Sequence, residues 1–188
     1  MTRLRLFLWA GITATVALLL LFAIQLSRPK DDFVESTMIG QPVPAFDLPA
    51  ASADRPGLSS ADLADGKPKL LNIFASWCIP CAAEAPQLAA LEQQGATIVA
   101  VAIRDKPEDV AAFLARYGNP YSRIGKDDIS EVQLAIGSSG VPETFVVDGK
   151  GVIRYQHIGD IRDGDVAMLL GELRKAGQAA TGAGAGGA

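Results

Sequence analysis

The chain has 188 residues, of which 49% are hydrophobic and 20% charged, a composition typical of a globular protein and not of a disordered one. Its formal net charge of −4 argues against nucleic-acid binding, which requires clustered positive charge. A structural zinc site normally takes four Cys or His ligands, and the sequence offers two cysteines and one histidine, His157. The length allows one hydrophobic core that folds without disulfide staples.

The amino-terminal end predicts a membrane anchor. Residues 6–26 carry no charged side chain, and a helix of this length crosses a hydrocarbon core of about 30 Å. A cleaved signal peptide would have a shorter apolar run and a small-residue cleavage site, whereas this run ends in Gln25-Leu26-Ser27. We therefore expect an uncleaved transmembrane anchor over residues 1–27 and a linker over residues 28–37. The balanced basic residues on its two sides do not decide the orientation.

The first half of the folded domain, which we place at residues 38–176, is predicted to alternate strands and helices. Three prolines within residues 40–49 exclude a helix there and favour an extended edge segment. Two short apolar runs, residues 69–74 and 97–103, are typical of strands buried on both faces of a sheet. The helical pattern between them contains Pro86, where we expect a kink.

The second half of the domain predicts two more helices and a hairpin. Residues 106–117 have apolar positions at helical spacing, and a shorter helix is expected over residues 130–136. Residues 144–147 and 152–158 are rich in β-branched and aromatic residues and are joined by Asp-Gly-Lys-Gly. This pattern predicts two antiparallel strands.

The carboxyl-terminal part predicts a last helix and a tail. The helix has one apolar face and Asp163 or Asp165 as its cap. Residues 177–188 are almost all Gly and Ala, so we expect them to form a disordered tail. The order of the elements predicts an α/β fold in which a central mixed β-sheet is flanked by helices on both faces.

The two cysteines form the sequence Cys78-Ile79-Pro80-Cys81 between a predicted buried strand and a helix start. Unpaired backbone N–H groups at a helix start favour a thiolate at Cys78, and Cys-X-X-Cys thiols have pKa values of roughly 3.5–7.5 against about 8.5 for free cysteine. We expect Cys78 to be the attacking residue and Cys81, one turn later, the resolving residue. A purely structural disulfide is a weaker interpretation, because so short a loop removes little chain entropy.

Neighbouring residues are candidates for substrate docking or for tuning the thiols. Trp77 adjoins the attacking sulfur and is expected on the docking surface, a core aromatic being the alternative. Pro80 lies inside the pair. Val141-Pro142 precedes the hairpin, an order that places it beside the cysteines, where a cis peptide bond would present backbone to a substrate chain.

Trp77-Cys78-Ile79-Pro80-Cys81, together with Val141-Pro142, resembles the thioredoxin superfamily over about residues 39–176. Three further stretches, which begin at Leu70 (LLNIFASWC), Gly140 (GVPETFVVD) and Ile153 (IRYQHIGD), resemble the cytochrome c maturation thioredoxins of the DsbE/CcmG type. The resemblance implies a thioredoxin-like fold and a thiol:disulfide oxidoreductase anchored in the bacterial inner membrane with its domain in the periplasm.

The same resemblance implies the partners and the absence of a cofactor other than the redox-active disulfide. The oxidised client would be apocytochrome c, or a maturation protein that holds its Cys-X-X-Cys-His segment. The electrons would come from a membrane donor of the DsbD or CcdA type. The direction of flow is an implication of the resemblance, because thioredoxin-like pairs span roughly −270 to −120 mV.

The resemblance also assigns roles to individual residues, namely Cys78 and Cys81 (redox pair), Pro142 (cis proline), Glu143 (its acidic neighbour) and Glu84 (near the buried thiol). Ordinary thioredoxins have a buried aspartate where this chain has Asn72. Glu84 is therefore the candidate for the proton relay, with a solvated helix-face carboxylate as the alternative. We expect Glu143 at the rim of the site, solvated or paired with a client.

Three other functions remain open from the sequence. A copper(I) chaperone would use Cys78, Cys81 and His157, which suit a soft cation; as an oxidoreductase, the protein needs no chemistry from His157. A peroxidase-like protein is suggested by residues 40–48, which resemble the amino end of peroxiredoxins, although the usual Thr/Ser-x-x-Cys context is missing. A general periplasmic thioredoxin-like reductase would share the chemistry but not the client.

Overall fold

The computed structural model describes residues 2–26 and 36–182, and the chain divides into two compact units, residues 1–33 and 34–188. The first unit contains the helix α1 (Thr2–Leu26). Every side chain described in it is exposed, and the window Arg5–Phe22 has a mean hydropathy of 2.0. This helix is long and apolar enough to cross a membrane, as predicted.

The second unit is an α/β domain. Its elements are, in chain order, β1 (Asp47–Leu48), β2 (Leu58–Ser59), α2 (Ser60–Leu63), β3 (Lys69–Phe74), α3 (Ile79–Ala83), α4 (Ala85–Gln93), β4 (Ile98–Ile103), α5 (Pro107–Tyr117), β5 (Arg123–Asp127), α6 (Glu131–Ala135), β6 (Glu143–Val147), β7 (Ile153–Ile158) and α7 (Asp163–Gly182). The central sheet has the order β5-β4-β3-β6-β7. Strands β3, β4 and β5 are parallel, and β6 and β7 run antiparallel to their neighbours. The predicted mixed sheet is confirmed.

The two central strands arise where the sequence predicts them. Every residue of β3 and of β4 is buried, because a strand covered on both faces has no position for a polar side chain in contact with water. The hairpin of β6 and β7 and the helices α5 and α6 also lie within about one residue of their predicted bounds. Asp165 caps α7 by accepting a hydrogen bond from the backbone N–H of Arg162 at 2.8 Å.

Strand β5 has no counterpart among the predicted elements, because Arg-Ile-Gly-Lys-Asp lacks the apolar run of a buried strand. It forms at the sheet edge, where β4 pairs with it and where β1 and β2 cover it. Gly125 is needed there, since a Cβ atom would lie 2.9 Å from the side chain of Leu48. The covering segment begins in the proline-rich stretch, whose Phe46 and Leu48 pack against the core as expected.

Both predicted boundaries of the domain are corrected. Ser36, which we placed in the linker, is only 5% exposed and belongs to the domain; residues 28–35 of that linker lie outside the described residues. Helix α7 continues to Gly182, so the first part of the predicted tail is helical, which the helix propensity of its alanines favours. The rest of that tail, residues 183–188, lies outside the described residues.

The fold brings two segments to one edge of the sheet. Strand β3 runs toward this edge and continues into the cysteine turn, whereas β6 starts there, after Pro142. In the β3–β6 ladder Ile73 lies opposite Glu143. The end of β3 and the start of β6 are therefore neighbours, although about 70 residues separate them in the chain.

Candidate active site

The redox pair lies at the start of α3. Cys78 is the N-cap residue with an extended backbone, and its sulfur accepts a hydrogen bond from the backbone N–H of Cys81 at 3.1 Å. Pro80 occupies the first turn, where a missing N–H group costs nothing. The two sulfurs are joined in a disulfide with Cα atoms 5.3 Å apart. Cys78 is 5% exposed and Cys81 2%, so exposure alone hardly separates their roles.

The side chains on either side of Cys78 are exposed. Trp77 is 58% exposed and Ile79 84%, which excludes the alternative that Trp77 is a core residue. The indole N–H of Trp77 donates to the backbone carbonyl of Arg104 at 3.4 Å. This contact links the cysteine turn to the end of β4, so the indole has a partner that orients it at the surface.

The peptide bond between Val141 and Pro142 is cis, as the motif predicts. The carbonyl of Pro142 accepts a hydrogen bond from the backbone N–H of Gly159 at 3.0 Å, which ties this loop to the end of β7. Because β6 pairs with β3 along its length, the loop lies on the same edge as the cysteine turn. The structure thus brings together the segments that the sequence places at the site.

Glu84 separates α3 from α4, and Pro86 in the first turn of α4 accounts for the break. The Glu84 side chain is fully buried, so the solvated alternative is wrong. Its carboxylate accepts hydrogen bonds from the Asn72 side-chain amide and from the backbone N–H of Ile161, both at 3.0 Å. Burial raises the pKa of Glu84 to about 7, although these two hydrogen bonds oppose the shift and nearby Asp160 adds to it.

Two further polar residues complete this buried network, and sequence analysis did not single them out. The Tyr121 hydroxyl donates to the Asn72 carbonyl oxygen at 2.8 Å, and the Asn72 amide also donates to the Thr144 hydroxyl oxygen at 3.0 Å. Burial, with a smaller effect of Glu84, raises the pKa of Tyr121 well above its usual value. One available signal was the polar Asn72 inside an otherwise apolar strand, since a buried amide requires partners.

The prediction for Glu143 is wrong. Its side chain is 1% exposed and points into the domain, so it cannot face a docked client from the rim. One carboxylate oxygen accepts from the backbone N–H of Ser139 at 3.0 Å and from its hydroxyl at 2.7 Å, and the other accepts from the Gln156 amide at 3.0 Å. Three donors solve the problem of burying a carboxylate that the sequence alone left to solvent or to a client.

Gln156 extends this network to the amino-terminal end of the domain. Its side-chain carbonyl oxygen accepts the backbone N–H of Ser36 at 2.6 Å, and the Ser36 hydroxyl donates to the carbonyl of Ile136 at 2.7 Å. Gly137, with φ +75, leaves room for Ser36, since a Cβ there would lie 2.4 Å from its hydroxyl oxygen. A continuous set of hydrogen bonds therefore joins Ser36 to Glu143, the residue after Pro142.

His157 lies on β7 opposite Thr144, inside a strand as predicted. Its Nε2 is 3.4 Å from the carbonyl oxygen of Asp160 and 3.8 Å from the carboxylate of Asp165. Within residues 2–26 and 36–182, no three His, Cys, Asp or Glu side chains are arranged to hold a metal ion. The copper site that would combine His157 with the two cysteines is therefore not formed in this structure.

The buried Glu84 makes stability depend on pH. A carboxyl group with a folded-state pKa near 7 favours the folded state while it is protonated, and this contribution is lost as pH rises from about 4.5 to 7. We expect the free energy of unfolding of the wild type to fall by about 3 kcal/mol over this window relative to Glu84→Gln. Urea unfolding of both proteins between pH 4 and 8 measures it. Parallel pH profiles would contradict the assignment.

The donors around Glu143 predict a reciprocal exchange. Glu143→Gln sets two amide groups against each other and should lower the free energy of unfolding by about 2 kcal/mol. Adding Gln156→Glu restores one donor and one acceptor at that contact and an acceptor for Ser36, so the double variant should regain most of the loss. A double-mutant cycle in urea tests this, with the exposed Gln93→Glu as the control for the second change. A double variant less stable than Glu143→Gln would refute the pairing.

The geometry agrees with what comparison with known proteins shows. A family profile described as Redoxin matches residues 38–173. The chain is 42% identical over 152 residues to the thiol:disulfide interchange protein HelX of Rhodobacter capsulatus, which covers 81% of this chain and 85% of HelX. It is 40% identical over 154 residues to the thiol:disulfide interchange protein DsbE of Escherichia coli K12, with 80% and 82% covered.

Solved structures lead to the same family. The crystal structure of a DsbE from Chlorobium tepidum has a TM-score of 0.64 at 26% identity and covers 74% of this chain and 97% of that one. These similarities cover the cysteine pair, the Pro142 loop and the sheet that joins them. The chain belongs to the Redoxin family and, within it, to the thiol:disulfide interchange proteins of the DsbE type, and it is a thiol:disulfide oxidoreductase with a thioredoxin-like fold.

Proposed function

We propose that the protein is a membrane-anchored dithiol reductant for cytochrome c maturation, with its domain on the periplasmic side of the bacterial inner membrane. The observation that carries this proposal is the Cys78 sulfur, which accepts the N–H group of Cys81 at the edge where the cis Pro142 loop begins. A hydrogen bond to sulfur favours the thiolate, which is the attacking species. The DsbE-type relatives support cytochrome c maturation as the pathway.

The reaction is two successive thiol:disulfide exchanges. The Cys78 thiolate attacks one sulfur of the client disulfide, that S–S bond breaks, and the other client sulfur leaves as a thiolate that takes up a proton. Cys81, as a thiolate, then attacks the Cys78 sulfur and releases the first client sulfur. Two electrons pass to the client, and Cys78 and Cys81 are left as the disulfide seen in the structure. A membrane dithiol donor of the DsbD or CcdA type returns the two electrons.

Glu84 would serve the second exchange. Cys81 is 2% exposed, so bulk water does not readily remove its proton. Glu84 follows Cys81 by three residues, which places the two on one side of a helical turn, and a carboxyl group with a pKa of about 7 can both accept and return a proton at neutral pH. Asn72 and the Ile161 N–H hold this carboxyl group in place.

The client is apocytochrome c or the maturation protein that holds its Cys-X-X-Cys-His segment. The runner-up is a general periplasmic reductase, which would use the same exchange on many disulfides. The exposed Trp77 and Ile79 suit either role, because both offer apolar contact area beside the attacking sulfur. The relationship to DsbE-type proteins favours the specific client, and identification of the trapped protein separates the two.

Removing the resolving thiol should trap the client. In Cys81→Ala, Cys78 still attacks, but no second thiol releases the mixed disulfide. We expect a covalent complex with apocytochrome c or its carrier that is resistant to denaturant and is released by reductant, identified by mass spectrometry of the complex purified from cells. Cys78→Ala is the matched control and should trap nothing. A complex only with Cys78→Ala would reverse the two roles, and a broad set of partners would favour the general reductase.

The anchor should be retained and should direct the domain to the periplasm. Alkaline phosphatase fused after the domain is expected to be active and to sediment with the inner membrane, whereas the same fusion without residues 2–26 should be inactive in the cytoplasm. Amino-terminal sequencing of the membrane-bound protein provides the second measurement. A mature protein that starts beyond Ser27, or phosphatase activity independent of α1, would contradict this prediction.

A further inference from the structure

A cavity lies beside the active-site tryptophan and takes no part in the exchange reaction. It has a volume of about 480 Å³ and is open to solvent along the groove between the cysteine turn and α5. Trp77 forms one wall and Tyr117, 38% exposed, lies on another. Since Trp77 directly precedes Cys78, anything held in this cavity lies within a few residues of a client cysteine bound to Cys78.

Three cations line the cavity, namely Arg104, Lys106 and Arg116. All three are exposed, and in the part of the chain that the structure describes none has a carboxylate within 4.0 Å. Six other cations of the domain do pair with a carboxylate, namely Lys69, Arg123, Lys126, Arg154, Arg162 and Lys175. The cavity thus gathers unpaired positive charge in a chain whose net charge is −4.

Arg104 is held in place by an unusual backbone. Its φ of 47° lies in the left-handed region, which costs about 1–3 kcal/mol for a non-glycine residue and recurs at functional sites. Its Nε donates to the hydroxyl of the buried Ser130 at 2.9 Å, and its backbone N–H donates to the carbonyl of Asp127 at 3.0 Å. The Arg104 carbonyl accepts the Trp77 indole. The guanidinium group and the tryptophan are therefore positioned together.

Two carboxylates also line the cavity, and they do not cancel its charge. Asp105 is 7% exposed, and its oxygens accept hydrogen bonds from the backbone N–H and hydroxyl of Ser76 and from the backbone N–H of Lys106. It is thus committed to fixing the residue before Trp77. Asp109 is exposed and is the other carboxylate on the wall. Three cations against two carboxylates, one of them already bonded inward, leave a positive surface.

We propose that this cavity is a subsite for acidic side chains of the polypeptide client, close to the client's reactive cysteine. Each residue of an extended chain spans about 3.3–3.6 Å, so carboxylates two to four residues from a cysteine bound to Cys78 can reach the three cations. Guanidinium and ammonium groups bind carboxylates through charge-assisted hydrogen bonds, while Trp77 and Tyr117 provide apolar contact. The proposal rests on the thiol:disulfide exchange at Cys78 and does not depend on the identity of the natural client.

Synthetic disulfide peptides test this subsite. Matched peptides with one internal Cys-X-X-Cys disulfide carry Glu or Gln at positions two to four residues before or after the disulfide. The reduced full-length protein in neutral detergent is mixed with each at low ionic strength, and the second-order rate constant of peptide reduction is measured. We expect one of the two Glu peptides to be reduced at least about fivefold faster than its Gln counterpart, a preference that falls at high salt.

Charge reversal locates the effect. Lys106→Glu should abolish the Glu-over-Gln preference, and Arg116→Glu should weaken it. Lys150→Glu makes the same change of charge in the β6–β7 turn at the opposite edge of the sheet and should leave the preference intact. Both altered positions are exposed, so folding is retained.

Three outcomes have distinct meanings. No Glu-over-Gln preference in the wild type would overturn the subsite. A preference that Lys106→Glu and Lys150→Glu reduce equally would also overturn it, because long-range attraction by the net charge would then explain the rates. Failure to reduce any peptide, including the Gln peptides, would instead count against the dithiol reductase activity itself.

Discussion

The burial of the Glu84 carboxylate determines how the redox segment lies on the sheet. Its oxygens bond to Asn72 on β3 and to the backbone of Ile161 after β7, so one side chain ties the redox segment to two separate parts of the domain. Pro86 makes this possible because it interrupts the helix at Glu84. A helix that continued without the break would carry the carboxylate on a regular face, and Cys81 would lose the acidic group beneath it.

The site contains two buried carboxylates whose environments suit different tasks. Glu84 has two hydrogen-bond donors, and burial dominates, which leaves a group that titrates near neutral pH. Glu143 has three donors from Ser139 and Gln156 and serves to hold the start of β6. A proton carrier must change its charge during turnover, whereas a structural anchor must keep its hydrogen bonds. The number of donors around each carboxylate fits this division.

Much of the fold could be predicted because its central strands are written as continuous apolar runs, and the role of the cysteines followed from their spacing and position. The edge strand β5 could not, because its pairing with β4 and its cover by Leu48 depend on tertiary contacts. The burial of Glu143 is another such case. Its donors come from four and thirteen residues away, and no local pattern shows that Gln156 points toward it.

The same reasoning explains the boundary of the domain. Ser36 follows a charged stretch of sequence and has no apolar side chain, so nothing local indicates that it is buried. Its burial depends on Gln156, 120 residues later in the chain, and on the space above Gly137. Long-range complementarity of this kind is a property of the folded domain and is not visible in hydrophobic periodicity.

The position of Ser36 has a consequence for how the domain is separated from its tether. The hydrogen bonds from Ser36 pass through Gln156 to Glu143 and so end beside the loop that receives the substrate. A protease that cuts the tether before Ser36 releases a domain with this connection intact, whereas a cut a few residues later removes it. The shortest soluble form that preserves the substrate loop therefore starts upstream of Ser36, and the end of the tether is also a structural part of the catalytic edge.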